Sequence, residues 1–297
     1  MANACQKKNA ATGKIIKALR CWKQFRRYFS LVDYCDRHKE KQKENPLWKV
    51  QELLDELNKQ AKDMWIPGKF VAIDEQTIGF QGASGLKLHI SYKRKGDGFQ
   101  CDTVCKKGYT YSFYFRHGPP PNVRDQFKHM ELSLTAKRVV WLASRLPNRW
   151  TRIFMDNLFN SQKLFTALHA CKVPGHGVAC TSGRGIPPLV IQKEEKNVAC
   201  TEQLRGTTRA AMLHNSHDCP WLFVVSVYDT KPVHILSTAA ECVEWIVKER
   251  KVWSDSKKMI TMMKYLRLNM VEDYNNNMNS TGIADQLRGN YRPDRWM

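Results

Sequence analysis

The chain has 297 residues, room for one large domain or two ordinary ones. Hydrophobic residues make up 42%, enough for a real core, which excludes wholesale disorder. There are 48 Lys and Arg against 28 Asp and Glu, a net charge of +20. A polyanion is the simplest partner for such a surface, because neutralised phosphates release their counterions.

The 10 cysteines are scattered and do not read as a disulfide framework. Of these, Cys101 and Cys105 lie close, and an even offset in a strand puts both on one face, which argues against a zinc knuckle. No stretch is long and apolar enough to cross a membrane; Leu222 to Tyr228 is too short. The N-terminus carries no signal-peptide core. A reducing compartment is expected, and with the basic charge, the nucleus.

The first part reads as helical. Ile15, Leu19, Trp22, Phe29 and Val32 recur at helical spacing, with Lys and Arg between them. A second helix is marked by Asn45 as cap, Pro46 in the first turn, and an apolar stripe through Val50, Leu53, Leu54, Leu57 and Ala61. Trp22, Trp48, Trp65 and Trp141 read as core anchors. Pro67-Gly68 closes the region with a turn.

Strands follow. Phe70 to Ile73 is an apolar run that stops on Asp74. Leu86, Leu88, Ile90 and Tyr92 alternate with polar residues, a half-buried strand by period. Phe99–Cys105 and Tyr109–Phe115 are the next two, joined through Lys106-Lys107-Gly108. Leu132–Leu146 reads as a helix. Arg152 to Met155 repeats the first pattern and stops on Asp156. A helix is expected over Ser161–Cys171, and strands over Gly177–Thr181, Leu222–Tyr228 and Val233–Ser237. Ala239–Met270 has no clear assignment; its clustered Met259, Met262 and Met263 read as core.

A carboxylate at the end of a buried strand is held rigidly and aimed outward. Two such strands side by side would hold a hard divalent cation between their acids, the core of a metal-dependent phosphoryl-transfer site. Taken singly, an acid at a strand end is more often a turn or cap residue.

Several segments resemble piggyBac-type transposases. Ile73-Asp74-Glu75-Gln76 with Gly79-Phe80 and Gly82 is similar to the first acidic motif of that family. Met155-Asp156-Asn157-Leu158-Phe159-Asn160-Ser161 is similar to the second, with Leu158 in place of an aromatic residue. Gly177 through Pro187 resembles a Gly-Thr-x-Arg segment ending in Ile-Pro, with Cys180 in place of Arg. Asp229 through Thr238 fits the strand pair that follows. Tyr274-Asn275 through Met278, with Ala284 through Arg288, resembles the third motif. The resemblance runs from about Leu31 to Met297.

That resemblance implies a ribonuclease H-like mixed sheet with helices, and descent from a cut-and-paste DNA transposase of the DDE/DDD type. It implies acids that bind Mg²⁺ ions to activate water or a DNA 3′-hydroxyl. The expected organisation is a helical segment over 1–66, a core over 67–182 and 271–297, and an insertion over 183–270. Aligned on Asp285-Gln286, the third metal-binding acid is Gly282. The metal site is therefore expected to rest on Asp74 and Asp156 with weak Mg²⁺ binding, and the copy to be catalytically impaired. It also reads as a truncated copy. Asp285, one helical turn from Gly282, is a weak third candidate; its plain alternative is packing or an ion pair with Arg288.

Lys87, Lys93, Arg94, Lys95 and Arg184 are candidate phosphate contacts, weighed evenly against an exposed polar face. DNA is the expected partner, with a possible homodimer. A non-catalytic DNA-binding protein, and a product that never folds stably, are the other readings.

Overall fold

The structure is a computed structural model. It describes residues 20–25, 31–32, 38–80, 82–91, 96–116, 126–181, 186–196, 206–213, 222–229, 231–239, 244–254 and 258–290. The chain forms two compact units, residues 1–57 and 58–297.

The first unit is helical where it is described. Residues 20–25 form a helix, α1 spans His38–Glu44, and α2, Gln51–Met64, begins there. Asn45 caps the turn before α2, its Oδ1 accepting from the Leu47 amide at 2.8 Å. Trp22 stacks on Phe25 but is 42% exposed, so it is no core anchor in the described residues. Trp141, in contrast, is buried, and Trp65 packs at a tilt against Tyr109 with ring centroids 5.0 Å apart.

The second unit is built on one mixed sheet. In chain order its strands are β1 (Phe70–Gly79), β2 (Leu88–His89), β3 (Asp97–Lys106), β4 (Tyr109–Phe115), β5 (Arg152–Met155), β6 (Gly175–Val178), β7 (Thr208–Met212), β8 (Phe223–Tyr228) and β9 (Pro232–Ser237). Their spatial order is β2-β3-β1-β5-β6-β9-β8-β7, with β4 also on β3. β1 is antiparallel to β3 and parallel to β5, and β6 is parallel to β5. Three strands from the 183–270 region, β7 to β9, thus extend the same sheet through the β6–β9 pair. A separate two-stranded sheet pairs β10 (Trp245–Ser254) with β11 (Met259–Leu268).

Two helices cover one face. In α3 (Leu134–Ala143) the Ser133 hydroxyl accepts from the Ala136 amide, and in α4 (Gln162–Ala170) the Ser161 hydroxyl accepts from Leu164. Val139, Leu142, Leu164, Phe165 and Leu168 pack there against Val71, Ile73, Ile153 and Met155, the odd-numbered side chains of β1 and β5. The even-numbered side chains point to the other face, under α5 (Asn269–Met278) and α6 (Ser280–Asn290).

The β3–β4 turn follows from its residues. Lys107 and Gly108 both take positive φ, 48° and 87°, as a two-residue hairpin turn requires. The alternation from Leu86 to Tyr92 yields a strand of only two residues, because β4 occupies the edge of β3 from Cys101 to Lys106 and leaves β2 just Asp97 and Gly98 to pair with. Met259, Met262 and Met263 are not core. They lie on the β10–β11 hairpin and are 54%, 56% and 42% exposed.

Candidate metal centre

β1 and β5 run parallel, with Ile73 opposite Met155. The next residue on each strand is an acid, so Asp74 and Asp156 stand at one level, about 4.8 Å apart in the strand-to-strand direction. Both point to the face that carries α5 and α6. Asp74 is not at a strand end, as its apolar run suggests: β1 continues to Gly79 because β3 keeps pairing with it as far as Gly98. β5 does end at Met155, and Asp156 is exposed. Each carboxylate accepts from the amide that follows it, Asp74 from Glu75 at 2.8 Å and Asp156 from Asn157 at 2.6 Å.

The second motif builds its own support. Phe159 is buried, and its amide donates to the Asp156 carbonyl at 3.1 Å. The Asn160 side-chain amide donates to the carbonyls of Met155 and Val178, clamping the ends of β5 and β6 together. Gly177 makes room for that clamp, since a Cβ there would collide with the Asn160 amide and the Met155 carbonyl.

α5 is fixed across the sheet by three polar contacts. The buried His176 ring, through Nε2, donates to the Met270 carbonyl at 2.9 Å. Arg152 pairs with Asp273 at 3.1 Å, and Lys106 donates to Asn277 at 2.9 Å. His176 also lies near the Phe154 and Tyr274 rings, at 5.2 and 6.2 Å. This seats Tyr274 beside the acid pair. Burial first, then the negative charges of Asp156 and Asp74, push the Tyr274 phenol above its usual range. Tyr274 also lines a cavity of about 310 Å³ with Tyr228, Asp229, Tyr265 and Arg267.

α6 then passes over Asp74. Thr281 lies beside Cys105, opposite Ala72 on β3, and Asp285 lies beside Cys101, opposite Gln76. The two contacts bracket the row of Asp74, and Gly282 sits in the turn between them. Asp285 is two rows further along β1, about 6.6 Å by strand rise. Its carboxylate takes the Arg288 guanidinium at 2.8 Å, and Arg288 also donates to the Thr77 carbonyl at 2.9 Å. Among the described residues no three His, Cys, Asp or Glu side chains come together as a metal-holding group. The strand register sets two acids, Asp74 and Asp156, beside each other. Their oxygens are hard donors that fit one divalent cation, the remaining positions being filled by water.

Lys87 is half-buried and its backbone closes a turn with Ser84. It lies next to the edge strand β2, apart from the acid pair. Lys93, Arg94, Lys95 and Arg184 lie outside the described residues.

The residues missed by sequence reasoning stand behind the site. On the α3 face, Asp102 is fully buried and meets Arg116 at 2.7 Å and Arg138 at 3.2 Å. Arg116 also reaches Glu75 at 3.3 Å, directly behind Asp74 in sequence. The only sequence signal was an acid inside the β3 strand pattern, where a neutral side chain is the norm. Tyr274 was visible as part of a motif but carried no sign of its place beside the acids.

The mixed sheet sets two aspartates on neighbouring strands under a pair of helices. The family model described as Transposase IS4 matches residues 8–297, and the chain belongs to that family. Its fold is similar to that of a piggyBac transposase, seen by cryo-electron microscopy as a synaptic complex with hairpin DNA, at 18% sequence identity and a TM-score of 0.67. That match covers 97% of this chain and 56% of the other, so the chain spans little more than half of the solved relative. Among the described residues no helix is long and apolar enough to cross a membrane.

Proposed function

We propose that the chain is a piggyBac transposase-derived protein, ancestrally a divalent-metal-dependent enzyme of DNA strand cleavage and transfer, and that catalysis is impaired in this copy. The carrying observation is the pairing of Ile73 with Met155, which sets Asp74 and Asp156 at one level with Gly282, not an acid, in the helix turn over Asp74's row. The ribonuclease H-like reading of the core rests on that same parallel pair. In the proposed organisation, 1–66 is the helical segment, 67–182 with 271–297 is the core, and 183–270 is an insertion whose strands lengthen the sheet.

A bound Mg²⁺ would polarise a phosphodiester and lower the pKa of an attacking water. This chain's own part is to hold the cation through Asp74 and Asp156, orient those oxygens through the Glu75 and Asn157 amides, and keep Tyr274 neutral beside them. With Gly282 the charge opposing a second cation is lacking, and Asp285 is engaged by Arg288. DNA is the proposed partner, through the +20 surface, with Lys87, Lys93, Arg94, Lys95 and Arg184 as phosphate contacts. The proposal extends to a homodimer and to the nucleus.

The reading of a DNA-binding protein without chemistry is favoured by one observation, the glycine at 282. A single experiment separates the two. The purified chain is titrated with labelled duplex DNA at several salt concentrations, then incubated with Mg²⁺ or Mn²⁺ and scored for strand cuts. Salt-dependent binding with weak, metal-dependent cutting is expected, and binding with no cutting at all assigns the chain to the second reading. Vigorous cutting by the unaltered chain, or no binding at low salt, overturns the proposal.

A further inference from the structure

The β10–β11 hairpin has its chemistry inside out. Side chains of a strand alternate between faces. On the inward face Lys248 meets Glu272 at 2.8 Å, while Arg250 and Arg267 reach Asp229 at 3.5 and 3.4 Å. The outward face carries six large apolar residues, while Ile246, Met259 and Met263 share the inward one. Trp245, Val247, Trp253, Ile260, Met262 and Leu266 all lie on the outward face, each between 49% and 63% exposed. Six large side chains about half exposed leave on the order of 600 Å² of apolar surface in one patch, the size that marks interaction sites on soluble proteins. A standard interface uses about 800 Å² per partner.

The register of the hairpin says what fits on it. The outward rows are Val247 with Leu266, Glu249 with Lys264, Lys251 with Met262, and Trp253 with Ile260. A two-fold axis along the hairpin lays β10 of one copy over β11 of the next, row on row, at the small angle that sheet twist sets. Val247 then meets Leu266 of the partner subunit, and Trp253 meets Ile260 of the partner subunit. Within one copy Glu249 already meets Lys264 at 4.0 Å, and in the pair each also faces the other kind on the partner subunit, so the central row closes as a balanced cluster of two acids and two bases. Lys251 covers Met262 of the partner subunit with its aliphatic stem.

From this we infer that the outward face of the β10–β11 hairpin is the surface through which two copies of this chain associate. This deepens the homodimer part of the proposed function and does not depend on the chemistry at the acid pair. Nucleic acid is the weaker occupant: the inward cations are already engaged by Asp229 and Glu272, and on the outward face Lys264 is engaged by Glu249, which leaves Lys251 among six apolar side chains.

Sedimentation equilibrium of the full chain, without DNA or metal, tests it. A monomer–dimer equilibrium is expected. Val247→Glu weakens it by roughly tenfold or more, the size of an interface hot spot. Glu249→Lys weakens it as well, and adding Lys264→Glu to that variant restores it, with unchanged circular dichroism throughout. A chain that stays monomeric at every concentration overturns both the dimer and its surface. A dimer indifferent to Val247→Glu, or not rescued by the charge swap, overturns the surface alone. Variants that lose DNA affinity at unchanged mass assign the hairpin to nucleic acid instead.

Discussion

Ile73 and Met155 face each other across β1 and β5, so the residue after each leaves the sheet at the same level. That one pairing brings two aspartates far apart in the chain to neighbouring positions. Asp156→Asn keeps an oxygen for the Asn157 amide and touches an exposed position, so stability should change by less than about 0.5 kcal/mol. Divalent-cation binding, read by calorimetry with Mn²⁺, should fall by an order of magnitude or more. Unchanged binding would show that the cation sits elsewhere.

Gly282 offers space for a side chain. A Cβ at that position meets the Asn279 side chain, at 2.6 Å from Oδ1, and no backbone atom within 4 Å outside its own helix. Asn279 is exposed and free to turn aside. Gly282→Asp should therefore fold, and loss of a helix-interior glycine offsets part of any cost, by about 0.5 kcal/mol. Mn²⁺ affinity should rise and strand cutting should appear or increase. If Gly282→Asp binds metal no better than Gly282→Ala, position 282 does not face the acid pair.

Gly177 is a close approach of backbone to side chain. Gly177→Ala drives a methyl into the Met155 carbonyl and the Asn160 amide, and backbone cannot step aside cheaply. A loss of about 1–3 kcal/mol is expected from chemical denaturation. Asn160→Ala in the same background should recover only part of it, because the Met155 carbonyl remains.

His176 makes stability fall in acid. Burial pulls its pKa from 6.5 down to about 3, although the Met270 carbonyl favours its charged form. The unfolded chain therefore binds a proton between about pH 6.5 and 3 that the folded chain refuses. Its contribution is complete above about pH 6.5 and is lost progressively as pH falls toward 3. His176→Gln should flatten this part of the stability–pH curve at some cost at neutral pH. An unchanged slope between pH 6 and 4 would contradict the burial.

Particular residues show what was legible. The helix expected from Ser161 forms with Ser161 as its cap, and the join expected at Lys106-Lys107-Gly108 is a hairpin turn. Both depend on neighbours a few positions away. Asp74 and Asp156 were legible as candidates, each by the apolar run before it and by resemblance. The hairpin from Trp245 to Leu268 was not legible, since six of its large apolar residues face outward and periodicity carries no sign for inside or outside. Asp102 was not legible either, because its partners Arg116 and Arg138 come from outside its own strand.

Composition and local pattern by themselves determined a basic, mixed α/β protein, the types of most of its elements, and two acids at matching points of two apolar runs. The tertiary structure decided that those acids sit at one level on neighbouring strands, that Tyr274 is brought beside them, and that Asp285 turns to Arg288. The physical reason is reach. Capping, turn chemistry and strand alternation act over a few residues, whereas strand register and helix crossing are set by packing between segments far apart in the chain.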